Sequence, residues 1–147
     1  MKKNLNDDHF GFHPIAILKV FSSTKHFDDK NIKKIIRELT FNHAKIQTRK
    51  SGDEVGNILE LIKKAQNVPG EIIETGTYFG GLTILMAKYL ELINSDKKIF
   101  TLDSFEGMPK PKSDEFLDTE GFLKVNYEFV KNKFKKNSLA DRIVIVK

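Results

Sequence analysis

Two carboxylates stand where a bound ligand is expected. Glu74 lies within the short apolar run "EIIET", and Asp103 lies near the end of "KIFTLDSF"; both runs predict β-strands. In a parallel α/β sheet, ligands bind at the carboxyl ends of the strands, near the point where the strand order reverses. A carboxylate at such a position can accept hydrogen bonds from the two hydroxyls of a ribose. The two acids therefore predict one ligand site.

A glycine-containing turn follows the first of these strands and leads into a predicted helix. Gly76, Gly80 and Gly81 let the backbone approach a ligand closely, and the helix start offers free N–H groups and a positive dipole. A glycine turn followed by a downstream acid resembles a dinucleotide site in outline. The spacing is G-x-x-x-G-G, however, not G-x-G-x-x-G, and Tyr78 and Phe79 lie inside the turn.

The chemistry of the turn favours a different ligand. A pyrophosphate requires bare backbone at this point, and Glu74 would repel it. S-adenosylmethionine carries an ammonium, a sulfonium and a ribose but no phosphate, so the residues favour it over a nicotinamide dinucleotide. Structural alternatives remain: Asp103 can cap a turn, Glu74 can form a salt bridge with a lysine, and the pair Gly80-Gly81 can serve close helix–strand packing.

The surrounding pattern predicts a parallel α/β sheet of the Rossmann-like type with helices on both faces. Strands are predicted at 71–75, 98–103 and 142–147, and helices at 28–46, 51–66, 81–93 and 122–134. Asp28 or Asp29 can cap the first helix, and Ser51 or Asp53 the second. The last helix is expected to bury Val125, Phe129 and Phe134. We expect an N-terminal arm and helical cap over residues 1–67 and a partial Rossmann-like domain over 68–147.

Composition narrows the class of protein. The chain has 147 residues, 31% of them charged, and no cysteine, which fits one globular domain without disulfides or thiolate sites. The net charge of +5 raises the question of nucleic-acid binding, but only three of the 25 basic residues are arginine: Arg37, Arg49 and Arg142. The lysines are scattered, as on solvated helix faces. We expect no nucleic-acid partner.

The N-terminal segment offers no membrane signal. Its best apolar run, 15–21, is interrupted by Lys19 and is too short for a membrane span or a typical signal peptide. His9 and His13 have metal-like spacing, but an intervening glycine and a following proline argue against a shared helix face. We expect no membrane partner, a cytoplasmic location, and no metal site in this chain.

The stretches "VPGEIIETGTYFGGLTILM" and "LDSFEGMPKP" together resemble the macrocin O-methyltransferase family, which is S-adenosylmethionine-dependent and metal-assisted. The later "VNYEFVKNKFKKNSLADRIVIVK" also resembles the segment that leads into the next strand of that family. The resemblance spans roughly residues 45–147. It implies an O-methyltransferase, or a fragment of one, that acts on a sugar or another small hydroxyl compound.

The resemblance also implies roles for individual positions. Two loops are matched to the cofactor, with residues Glu74, Gly76, Thr77, Tyr78, Gly80 and Gly81 in the first and Asp103, Ser104, Phe105, Glu106 and Gly107 in the second. Thr48 matches an upstream threonine near the cofactor. Ser104 and Glu106 equally suit an ordinary polar loop. No catalytic base, nucleophile or metal ligand is assigned. The resemblance implies that the acids that bind a divalent metal such as magnesium lie beyond the third strand of the family fold, outside this chain.

The family fold has seven strands, whereas this sequence predicts three. The first strand would lie at the centre of the full sheet, so here one of its edges is expected to be free. An unprotected apolar edge invites pairing with another chain. The sequence therefore predicts a homo-oligomer or a complementing chain at that edge. It leaves open a second reading, in which an inactive half-domain acts only in partner binding.

Overall fold

A computed structural model of the chain describes residues 24–110 and 120–147. The expectations for His9, His13 and the apolar run 15–21 lie outside the described residues. A 3-10 turn at Thr24–His26 precedes five helices and three strands, which are α1 (Lys30–Phe41), α2 (His43–Ile46), α3 (Gly52–Lys64), β1 (Ile72–Thr75), α4 (Gly81–Leu92), β2 (Ile99–Leu102), α5 (Tyr127–Lys136) and β3 (Ile143–Val146).

Helices α1, α3 and α5 begin where a side-chain oxygen accepts hydrogen bonds from free N–H groups. Asp29, one of the two candidates, caps α1 by accepting from the N–H groups of Asn31 and Ile32. Ser51 caps α3 in a capping box with Glu54, which accepts in return from the Ser51 N–H at 2.8 Å. These local signals fix the helix starts.

The three strands form one parallel sheet in the order β1-β2-β3, which confirms the predicted sheet. Residues in register alternate between two faces. The first face carries Ile72, Ile99 and Ile143 in one row and Glu74, Thr101 and Ile145 in the next. Because the strands are parallel, their carboxyl ends lie at the same edge of the sheet.

Helices pack against the first face of the sheet. Thr83 of α4 bonds to Glu74 on that face, and α5 contributes Val130 and Phe134 to the same buried core. The sequence had predicted helices on both faces. Both crossovers advance in the same direction along the sheet, and right-handed crossovers of that kind place their helices on one side. In the described residues the second face, which includes Ile73, contributes nothing to the core.

The prediction for the last helix was wrong in part. Val125 and Phe134 are buried as predicted, but Val125 precedes the helix, Phe129 is 47% exposed, and Val130 is buried instead. The segment 122–126 is not helical, so its residues do not share the helical period that the sequence pattern assumed. The proposed domain boundary at residue 67 stays a prediction. Hydrophobic residues from both sides of it share one core.

The outer edge of β1 has no strand beside it among residues 24–110 and 120–147. A groove of about 290 Å³ runs alongside it. Its lining includes three strongly exposed apolar side chains, Leu61 at 63%, Val68 at 58% and Ile73 at 69%.

Within the same described ranges, no helix has the length and apolar character needed to cross a lipid bilayer.

Candidate functional site

A cavity of about 520 Å³ opens at the carboxyl ends of β1 and β2. Both predicted acids, Glu74 and Asp103, line it. Its other lining residues include Gln47, Thr48, Arg49, Lys50, Thr75, Gly76, Thr77, Tyr78, Gly81, Leu82, Gly107, Met108 and Leu123. The site is thus built from four segments of the chain, 47–50, 74–82, 103–108 and Leu123.

Residues 76–80, here called the glycine loop, form the turn after β1. Gly76 has φ +88°, and a Cβ built on it would meet no atom within 4 Å, so its open side faces free space. Tyr78 adopts a left-handed φ of 51°, which costs energy for a non-glycine residue. Its N–H donates to Asp103 Oδ2 at 2.9 Å, and this bond helps to hold the unusual conformation.

Gly80 and Gly81 have a packing role. A Cβ on Gly80 would lie 2.5 Å from the ring of Phe134 in α5, and one on Gly81 would overlap the carbonyl oxygen of Ile46. Close packing of the start of α4 therefore requires both glycines. This is the packing role that the sequence left open as an alternative to ligand binding. Gly81 also lines the cavity, whereas Gly80 does not.

The carboxylate of Glu74 is held by two hydroxyls. Its Oε2 accepts from Thr83 Oγ1 at 2.5 Å and from Thr101 Oγ1 at 2.9 Å. Burial raises the pKa of Glu74, with a further contribution from the negative charge of Asp103; the threonine hydrogen bonds act in the opposite direction. Among the described residues, no lysine lies within ion-pair distance of it. The site therefore presents an acid that an incoming cation can stabilise.

Asp103 joins the loops that follow β1 and β2. Besides the bond from Tyr78, its Oδ1 accepts from the N–H of Phe105 at 2.8 Å. Asp103 therefore caps a turn, which is one of the two roles that its sequence position left open. A carboxylate offers about four acceptor positions, so about two remain for a ligand.

The rest of the second loop is divided between structure and cavity. Gly107 lines the cavity, but Ser104, Phe105 and Glu106 do not. Ser104 Oγ accepts from the Glu106 N–H at 3.2 Å, and Phe105 is buried against the ring of Tyr127. Glu106 is exposed and pairs with Lys124 at 3.3 Å.

Thr77 of the glycine loop is buried. Its hydroxyl oxygen lies 2.6 Å from that of Thr101, and the two hydroxyls form a hydrogen bond. Thr48, expected near the cofactor, does line the cavity. Residues 47–50, here called the upstream wall, form a whole side of it. Within this segment the family resemblance drew attention only to Thr48, and no sequence pattern marked its neighbours because this short connection between helices has no periodicity.

The donor set for a divalent metal is incomplete in this part of the protein. Across residues 24–110 and 120–147, no group of three or more histidine, aspartate or glutamate side chains is placed to hold an ion. Glu74 and Asp103 are the two carboxylates that line the cavity. The described residues therefore do not fit a magnesium site.

The comparisons with known proteins agree with this architecture. The family model for macrocin-O-methyltransferase (TylF) matches residues 21–147, so the chain belongs to that family. A solved structure described as the O-methyltransferase NovP aligns with a TM-score of 0.55 at 22% identity, covering 88% of this chain and 63% of that one. This likeness supports the fold.

Two curated relatives come from Streptomyces. The 8-demethyl-8-(2,3-dimethoxy-alpha-L-rhamnosyl)-tetracenomycin-C 4'-O-methyltransferase of Streptomyces olivaceus is 35% identical over 52% of this chain and 33% of its own length. The demethyldecarbamoylnovobiocin O-methyltransferase of Streptomyces niveus is 32% identical over 53% of this chain and 33% of its own length. The matched region thus spans about a third of each relative.

Proposed function

We propose that this chain provides the S-adenosylmethionine-binding part of an O-methyltransferase that acts on a sugar or another small hydroxyl compound. Membership of the family implies the cofactor. The observation that carries the proposal is the shared cavity at the ends of β1 and β2, where Glu74 and Asp103 lie beside the open face of Gly76. The methyl acceptors named for the two Streptomyces relatives support a hydroxyl compound as substrate.

Each part of the cavity suits one part of the cofactor. Asp103 has acceptor capacity left for the ribose hydroxyls after its two backbone bonds. Glu74 suits the α-ammonium, because a positive charge offsets the cost of keeping a buried carboxylate ionised. Gly76 lets the ligand approach the backbone without meeting a side chain.

Methyl transfer is a displacement at the sulfonium. The bond from the methyl carbon to sulfur breaks as a bond to the acceptor oxygen forms, and the hydroxyl proton passes to a base. The rate depends strongly on holding the two reactants in line. Glu74 and Asp103 position the cofactor and take no part in that bond exchange. The described residues do not provide a ligand set for a metal that would polarise the hydroxyl.

The direct test is a calorimetric titration of the full chain with S-adenosylhomocysteine and, separately, with oxidised nicotinamide adenine dinucleotide. We expect S-adenosylhomocysteine to bind with one-site behaviour and the dinucleotide not to bind, since its pyrophosphate would meet Glu74. A folded chain that binds only the dinucleotide, or neither ligand, would contradict the proposal.

A second candidate function, chain association without catalysis, is favoured by the free edge of β1. The edge lies beside a groove with exposed Leu61, Val68 and Ile73, and such an edge can pair with an added strand. We propose an apolar extended segment, from a second copy or a complementing chain, as its partner. No nucleic-acid partner, no membrane partner and a cytoplasmic location remain predictions.

A further inference from the structure

Lys133 of α5 occupies an unusual position between distant segments. Its ammonium donates to the carbonyl oxygen of Ile46 at 2.7 Å, to that of Phe79 at 2.9 Å and to Gln47 Oε1 at 3.1 Å. Ile46 directly precedes the upstream wall, Gln47 is its first residue, and Phe79 belongs to the glycine loop. One side chain thus connects two sides of the cavity.

All three acceptors are uncharged. An ammonium has three donors, and here each has a partner. Burial favours the neutral amine and lowers the pKa of Lys133 to about 8. An amine has only two donors, so deprotonation leaves one of the three acceptors without its bond.

The charges near Lys133 do not account for that shift. The titratable residues of the segments around it are His43 and Lys45 on α2, Arg49 and Lys50 in the upstream wall, Tyr78 in the glycine loop, Lys88, Tyr89 and Glu91 on α4, which follows that loop, and Tyr127, Glu128, Lys131, Lys135 and Lys136 on α5. None of them appears among the causes of the shift, which is burial alone.

We propose that Lys133 is a positioning residue whose ammonium form holds the upstream wall and the glycine loop in the spacing that binds the ligand. Neither segment makes this connection by itself, since the lysine lies more than 50 residues from each along the chain. The identity of the ligand in this inference rests on the proposed function. The connection between the two segments rests only on the hydrogen bonds of Lys133.

The test compares the full wild-type chain with Lys133→Met and a matched control, Lys135→Met. Lys135 lies on the same helix but is exposed. Calorimetry with S-adenosylhomocysteine at pH 6.5 should give an affinity about tenfold lower for Lys133→Met, the scale of one charge-assisted hydrogen bond, and an unchanged affinity for Lys135→Met. The ratio of wild-type to Lys133→Met affinity should be smaller at pH 9.5, where the neutral amine keeps at most two of its three bonds. That ratio cancels the titration of the ligand's own ammonium.

Hydrogen exchange on the free protein provides a readout that does not need the ligand. At one pH, Lys133→Met should speed exchange in residues 46–50 and 76–82 relative to both other chains. Equal exchange rates and equal affinities in folded Lys133→Met and wild type would overturn the inference. If wild type binds no S-adenosylhomocysteine, the proposed function fails, while the exchange comparison still decides whether Lys133 holds the two segments.

Discussion

The backbone N–H of Tyr78 donates to Oδ2 of Asp103 at 2.9 Å, and this bond joins the loops that follow two neighbouring strands. Because β1 and β2 are parallel and in register from Ile72 with Ile99 to Thr75 with Leu102, their following loops meet at one edge of the sheet. Asp103 therefore both shapes the cavity and presents acceptor atoms to it.

Replacing Gly81 tests the packing at the start of α4. Gly81→Ala should lower the free energy of unfolding by about 1–3 kcal/mol, because the new methyl group would overlap the backbone of Ile46 and Gln47. Urea unfolding measures this loss.

Gly56→Ala is the matched control. There the three atoms nearest to the added methyl belong to the side-chain ring of Phe27, whereas at Gly81 they belong to the backbone, and the helix gains propensity. We expect a smaller loss of stability than for Gly81→Ala. A larger loss at position 56 would contradict the account of why Gly81 is a glycine.

The two acids Glu74 and Glu106 should affect pH dependence in opposite directions. The pKa of Glu74 is raised in the folded chain, so its contribution to stability is fully present below the ordinary carboxyl value and is lost as pH rises through the folded pKa. The stability of wild type relative to Glu74→Gln should therefore fall as the pH rises above the ordinary glutamate pKa of about 4.3.

Glu106 provides the control of opposite sign. Its ion pair with Lys124 lowers the pKa, so its contribution is present above the ordinary carboxyl value and is lost at lower pH. Since Glu106 is exposed, we expect a small effect. Urea titrations at several pH values measure both trends, and a rise in relative stability with pH for Glu74 would contradict its description as a buried carboxylate.

The free edge of β1 gives a prediction about association. If an apolar segment pairs there, Ile73→Lys should shift sedimentation towards the monomer, because a charge on an exposed strand opposes such pairing. Phe41→Lys, also at a strongly exposed apolar position but on α1, should leave the distribution unchanged. Equal sedimentation of wild type and Ile73→Lys would count against the edge as the contact surface.

Much of the fold could be predicted from local patterns. Helix caps follow rules that operate within a few residues, as at Asp29 and Ser51. The same holds for the short apolar strand that contains Glu74. The prediction failed at Phe129, because the chain before α5 does not continue the helical period. Periodicity located this helix but misjudged which side chains it buries, because the helix begins at Tyr127 and not at residue 122.

The site was less accessible to sequence reasoning. Glu74 and Asp103 were found because acids at strand ends have a recognised position, and both line the cavity. The hydroxyl partners of Glu74, the upstream wall and Lys133 depend on contacts between residues far apart in the chain. A single sequence carries no local signal for such contacts.

We propose that the cavity at the carboxyl ends of β1 and β2 binds S-adenosylmethionine through Asp103. Calorimetric titration of S-adenosylhomocysteine into wild type and Asp103→Ala tests it most directly, with Glu106→Gln as a control outside the cavity. Loss of two hydrogen bonds to a charged acceptor should weaken binding by about 2–4 kcal/mol in Asp103→Ala. The control should bind like wild type. Equal affinities of wild type and a folded Asp103→Ala chain would contradict the claim.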